Sequence, residues 1–190
     1  MRKSIFLTMM FCLLAISAFA QDKKTKDFSG HWTLDVTKSK LGERARVESM
    51  TLNVSQTEKE LKVETATKRA PRPDGEMSGG QGRAGGGMGG GRMGGGFGGD
   101  GTAVYSLDGK ETTSAISGGQ MNGTAAMKAE LNSDKLKLTT SRKISSQMGD
   151  LTLVIKETWE LMDGGKTLKI VRESETPRGT TSTEMVFTKK

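Results

Sequence analysis

Lys156-Glu157-Thr158-Trp159-Glu160-Leu161-Met162-Asp163-Gly164-Gly165-Lys166-Thr167-Leu168-Lys169-Ile170-Val171-Arg172 decides the fold of this chain. Apolar residues recur at every second position on both sides of Asp-Gly-Gly, a composition that favours a tight reversal of the chain. If the turn centres between Gly164 and Gly165, Leu161 faces Leu168, Trp159 faces Ile170 and Glu157 faces Arg172. Apolar meets apolar and acid meets base, as paired antiparallel strands require. The next turn signal, Pro177-Arg178-Gly179, extends the pattern to a third strand. A turn centred between Arg178 and Gly179 sets Ile170 beside Phe187 and Arg172 beside Met185. Trp159, Leu161, Leu168, Ile170 and Phe187 then share one face.

The same period of two runs outward from this hairpin. Trp32, Leu34 and Val36 alternate with Thr33, Asp35 and Thr37, and Met50, Leu52 and Val54 alternate with Thr51, Asn53 and Ser55. Leu61 and Val63 follow, then Ala103, Tyr105 and Leu107, then Ala125, Met127, Ala129 and Leu131, then Leu136 and Leu138, then Leu151, Leu153 and Ile155. Turn residues fall between these runs at Asp108-Gly109 and Asn132-Ser133-Asp134, and no stretch shows helical periodicity. The expectation is an all-β chain, an antiparallel up-and-down β-barrel of about 8–10 strands.

Two segments stand outside that pattern. Arg2 and Lys3 precede an apolar run from Ile5 to Ile16, and Ser17-Ala18-Phe19-Ala20 carries the small residues of a signal-peptidase site. Residues 1–20 therefore read as a cleaved export signal, followed by a polar leader at 21–27 and the barrel domain at 28–190. The run is shorter than the about 20 residues a membrane helix needs. Cys12, the one cysteine, leaves with the signal; with Phe11 before it, it does not fit a lipoprotein site. The second segment interrupts the barrel at 72–101. Sixteen of the 27 residues from 75 to 101 are Gly, and such a stretch is expected to be a disordered loop, because it cannot offset its ordering entropy by burial. Arg83, Arg92 and Phe97 among those glycines resemble RNA-binding segments, but export and a weak cationic footprint argue against nucleic acid. Gly165-Lys166-Thr167 is no phosphate-binding loop, since Glu160 stands where its first Gly belongs.

Few residues are left for chemistry. After export the chain has one His and no Cys, which excludes a cysteine nucleophile, a thiolate zinc site and a multi-histidine metal centre. If Trp32 points inward, its neighbour His31 points to solvent, a poor place for a catalytic base. No catalytic constellation emerges, so no enzyme, cofactor or metal is expected. Glu157 and Arg172 are the exception among the charges, because their parity is that of the apolar face. They read either as an anchor for the polar head of a ligand inside the barrel, with Arg172 as the donor, or as a cross-strand ion pair near a barrel end that satisfies itself, or as a local bulge that turns both outward. Trp159, Tyr105 and Met127 share the inward parity and complete the candidate ligand-lining set. Ala103, Ala125 and Ala129 leave interior room unless bulky neighbours fill it.

Phe28-Ser29-Gly30-His31-Trp32-Thr33-Leu34-Asp35 resembles the Gly-x-Trp opening of lipocalins and their calycin relatives. Lys38-Ser39, Asp108-Gly109-Lys110-Glu111 and Asp163-Gly164-Gly165-Lys166-Thr167-Leu168 in that order are similar to secreted bacterial lipocalin-like proteins of unknown function. The resemblance covers 28–190 apart from the glycine insertion. It implies that Gly30 and Trp32 are structural, with the Trp across the barrel base under a late-strand arginine, which Arg172 or a neighbour could supply. The chain lacks the disulfides and terminal helix of many lipocalins. Two functions fit: a barrel that binds a small apolar or amphipathic molecule inside, or a filled barrel that meets envelope polymers or another protein through its glycine-rich loop and a surface made basic by the charge of 7 − 2 = +5 that remains once Arg2 and Lys3 leave with the signal. In either case a periplasmic or extracellular monomer without a transmembrane segment is expected.

Overall fold

The computed structural model describes residues 25–42, 45–71, 100–118, 121–132, 134–146, 149–177 and 179–190. The expected export signal, residues 21–24 of the leader and residues 72–99 of the glycine-rich insertion lie outside them. No helix among the described residues is long and apolar enough to cross a membrane.

The described residues form ten antiparallel strands: β1 (Gly30–Leu34), β2 (Val47–Gln56), β3 (Glu60–Arg69), β4 (Gly101–Ser106), β5 (Thr112–Gly118), β6 (Met121–Leu131), β7 (Lys135–Ser146), β8 (Gly149–Met162), β9 (Thr167–Thr176) and β10 (Gly179–Lys189). Their order across the sheet is β4-β3-β2-β1-β10-β9-β8-β7-β6-β5. Every neighbour is therefore a chain neighbour except at β1 and β10, where the two ends of the domain meet. The sheet curls into a nearly closed barrel whose two edges, β4 and β5, flank one seam. Gly101, placed in the insertion by its composition, opens β4 instead.

The wall obeys the alternation. Inward positions carry Trp32, Leu52, Val54, Leu61, Leu136, Leu138, Trp159, Leu168, Ile170 and Phe187, all buried, and most outward positions carry Lys, Glu and Thr. The register of β8 on β9 is the expected one, with Leu161 opposite Leu168, Trp159 opposite Ile170 and Glu157 opposite Arg172. The register of β9 on β10 differs by two residues: Ile170 faces Met185, Arg172 faces Thr183 and Phe187 faces Leu168. Thr176 pairs with Gly179, so the turn centres on 177–178 and Pro177 takes the corner that its fixed φ suits. A shift of two leaves every side chain on its original face, and the apolar interior survives the change.

Two apolar residues depart from the alternation. Val36 is 40% exposed because β1 stops at Leu34, where Asp35 accepts hydrogen bonds from the Thr37 hydroxyl (2.6 Å) and the Thr37 and Lys38 amides, and turns the chain. Leu151 is 39% exposed, at the rim next to the start of β8.

Candidate functional site

The floor of the barrel is built by the opening motif. Trp32 is buried, its indole N–H donates to the Phe28 carbonyl at 3.0 Å, and the Phe28 ring meets Trp159 edge-on with centroids 6.3 Å apart. Gly30 has φ +145°, and a Cβ there would lie 2.5 Å from Lys189 Cε. The absent side chain lets the Lys189 stem cross and hold its ammonium 5.2 Å from the centre of the Trp32 ring. The cation over the tryptophan is thus Lys189 of β10 and not Arg172. Gly30 and Trp32 occupy positions where structural roles follow from geometry.

Lys38-Ser39 and Asp108-Gly109-Lys110 serve the same end. The Ser39 hydroxyl donates to the Asp35 carbonyl and accepts from the Val186 amide, which ties the first loop to β10, and Asp108 accepts from Ser106 Oγ and the Lys110 amide to close a turn.

Above the floor lies a polar tier. Arg172 Nε donates to Glu157 Oε1 at 2.6 Å, and Trp159 Nε1 donates to Glu157 Oε2 at 2.9 Å, so both carboxylate oxygens are engaged. The Glu157 and Arg172 side chains are 10% and 20% exposed: the pair is interior and cross-strand, with no bulge to turn it outward. Tyr105 on β4 reaches across to Thr140 on β7, with their hydroxyls 3.0 Å apart. Burial, reinforced by the negative charge of Glu157, pushes the Tyr105 phenol up to about 12, so at neutral pH it is a protonated hydrogen-bonding group. Arg142 on β7 is 3% exposed and close enough for its charge to act on Tyr105.

The space left in this tier is small. It amounts to about 30 Å³, bordered by Met50, Val63, Tyr105, Trp159, Arg172 and Met185 among others. That volume accommodates about one water molecule. Of the expected ligand-lining residues, Arg172, Glu157, Trp159 and Tyr105 come together around it, whereas Met127 is buried on β6 beside Thr140 and does not border it. Of the small inward alanines, Ala129 pairs with Leu138 and Ala125 with Arg142, whereas Ala103 borders this space.

Phe28, Thr140 and Arg142 are buried residues outside the expected site, and Lys189, exposed at the end of β10, is a fourth residue of the floor that the expectation missed. Continuing the period of two beyond Leu138 reaches Thr140 and Arg142, and continuing it beyond Phe187 reaches Lys189. Polarity at inward positions obscured them.

The outside differs from expectation in charge. Twenty of the 29 Lys and Arg and 18 of the 22 Asp and Glu lie within the described residues, so the barrel is close to neutral. Some of its lysines sit in cross-strand pairs, as Lys156 with Glu175 (2.6 Å) and Lys169 with Glu184 (3.0 Å), and others in pairs along one strand, as Lys62 with Glu64 and Lys128 with Glu130. Among the described residues, no group of three or more His, Cys, Asp and Glu could hold a metal ion. His31 is exposed, as the parity of Trp32 required.

No protein-family profile matches the chain, and no curated protein shows significant similarity to it.

Proposed function

We propose that this chain is an exported, non-enzymatic β-barrel whose interior is filled and which acts through its outside, as an interaction module toward another protein or an envelope polymer. The observation that carries this reading is the interior volume. Small-molecule pockets run to about 300–1,000 Å³, and the space beside Glu157 and Arg172 is about 30 Å³. Glu157, the Trp159 indole N–H, Arg172 Nε and the Tyr105 hydroxyl already have partners, so a ligand head group that used them would have to displace an ion pair and two hydrogen bonds. The near neutrality of the barrel favours a protein partner over an anionic polymer for the wall itself. Most of the net positive charge lies in residues 1–24, 43–44, 72–99 and 178.

Binding of an apolar or amphipathic molecule inside the barrel is the second reading. It is favoured by Met50 and Met185, which border the interior space and repack readily. One experiment separates the two. Purified protein is titrated with a long-chain fatty acid and with a hydrophobic dye, and extracted material is examined by mass spectrometry. The filled barrel gives no saturable binding and no co-purified lipid. A stoichiometric ligand overturns it. Deletion of residues 75–99 then tests the surface: the barrel should unfold at an unchanged temperature while envelope or partner retention falls.

A further inference from the structure

We propose that two copies of this chain pair edge to edge through β5, antiparallel about a two-fold axis at Ala115. A sheet grows only at an edge whose backbone groups are unpaired, and this sheet has two, β4 and β5. One side of β5 pairs with β6 from Thr112 to Gly118. On the other side the Thr112 hydroxyl lies 3.1 Å from the Val104 carbonyl, and beyond that contact β4 and β5 form no ladder among the described residues. Thr113, Ser114 and Ala115 are all exposed, although Ser114 shares the inward parity of its partner Ala125. Among the described residues, the wall is therefore open beside them.

The edge is also unguarded. Edge strands ordinarily carry lysine, proline or an inward charge that blocks further pairing. Thr112-Thr113-Ser114-Ala115-Ile116-Ser117-Gly118 contains none of these. Apart from β4 and the interior strand β1, every other strand carries Asp, Glu, Lys or Arg. The lack of charge on β5 suits an identical strand in particular. About Ala115, Thr113 meets Ser117 of the second copy and Ser114 meets Ile116, with no like charges opposed, and threonine, serine and isoleucine pair well across strands. A single short edge falls below the about 1,200 Å² of a stable interface, so the dimer is weak and reversible. This inference is independent of whether the barrel interior is filled.

Sedimentation of the full chain from low micromolar to near-millimolar concentration tests it. The wild type should shift reversibly from monomer to dimer. Ala115→Lys and Ala115→Glu each place two like charges opposite one another at the axis, so each variant alone should remain monomeric, and an equimolar mixture should recover the dimer. Thr113→Lys tests the same edge through a different pair. A wild type that stays monomeric at the highest concentration, an A115K that dimerises as wild type does, or a mixture that does not recover would each overturn the proposal.

Discussion

The floor of the barrel and its seam belong to one antiparallel sheet, yet they are held by different means. At the floor and in the polar tier directly above it, Phe28, Trp32, Trp159, Leu168 and Phe187 are buried together, and the polar atoms end on named partners: the Trp32 indole on Phe28, the Trp159 indole on Glu157 and Arg172 on the same carboxylate. At the seam, β4 and β5 approach without a ladder among the described residues, one threonine hydroxyl spans them, and Thr113, Ser114 and Ala115 of β5 are exposed. Global stability should therefore reside in the floor, and local opening in the seam.

The sharpest way to break that contrast is to remove Glu157. Glu157→Leu leaves the Arg172 guanidinium and the Trp159 N–H buried without their acceptor, and the expected loss is about 3–5 kcal/mol in denaturant unfolding. Glu157→Leu combined with Arg172→Leu should lose less than Glu157→Leu alone, because no buried charge is stranded. If both Leu single variants melt like wild type, the interior placement of the pair is wrong.

Phe28→Ala tests the same region through packing alone. It removes a fully buried ring that meets Trp159 edge-on, and the expected cost is about 3 kcal/mol or more in the same assay.

Gly30→Ala is smaller. The φ of +145° and the Lys189 stem both oppose a Cβ, and a destabilisation of about 1–3 kcal/mol is expected. Lys189→Ala in the same background should recover part of it, since the steric half of the penalty disappears.

Tyr105→Phe sits between floor and seam. It leaves Thr140 without its partner, for a loss of about 1 kcal/mol at neutral pH. The phenol is held at about 12 in the folded chain against an ordinary 10.0, so its contribution is complete below pH 10 and is lost as pH rises toward 12, where the unfolded chain alone has released the proton. Unfolding midpoints of the wild type should fall more steeply than those of Tyr105→Phe across that window.

Smallest in global effect is Thr112→Val, which removes the contact between β4 and β5. Amide exchange should accelerate in β5 while the melting temperature changes by no more than a degree or two, as expected for a loss well under 1 kcal/mol. A large drop in melting temperature would show that seam and floor are one cooperative unit.

How legible the molecule was in its sequence follows the same division. The β8–β9 register could be read residue by residue because Trp159 and Ile170, and Glu157 and Arg172, lie a short loop apart and pair by type. The β9–β10 register was misplaced by two, since Pro177 prefers the turn corner and the apolar pattern is blind to an even shift. Strand β5 carries no readable alternation at all: where Thr113, Ser114 and Ala115 all meet solvent, no burial selects one face for apolar residues. In the candidate site, Glu157 and Arg172 were visible as charges at inward parity. Arg142 and Lys189 share that parity but lie at the ends of apolar runs, where charge reads as the edge of a strand.

By itself the sequence determined the strand class, the meander, the inward faces and the acid–base pair at the centre, because each is set by alternation and by turns that act over a few residues. The tertiary structure alone decided where the barrel fails to close, that Lys189 and not Arg172 stands over Trp32, and that Arg142 and Leu138 stand opposite Ala125 and Ala129. Those outcomes depend on the curvature of the whole sheet, which brings together side chains from strands that no local turn connects.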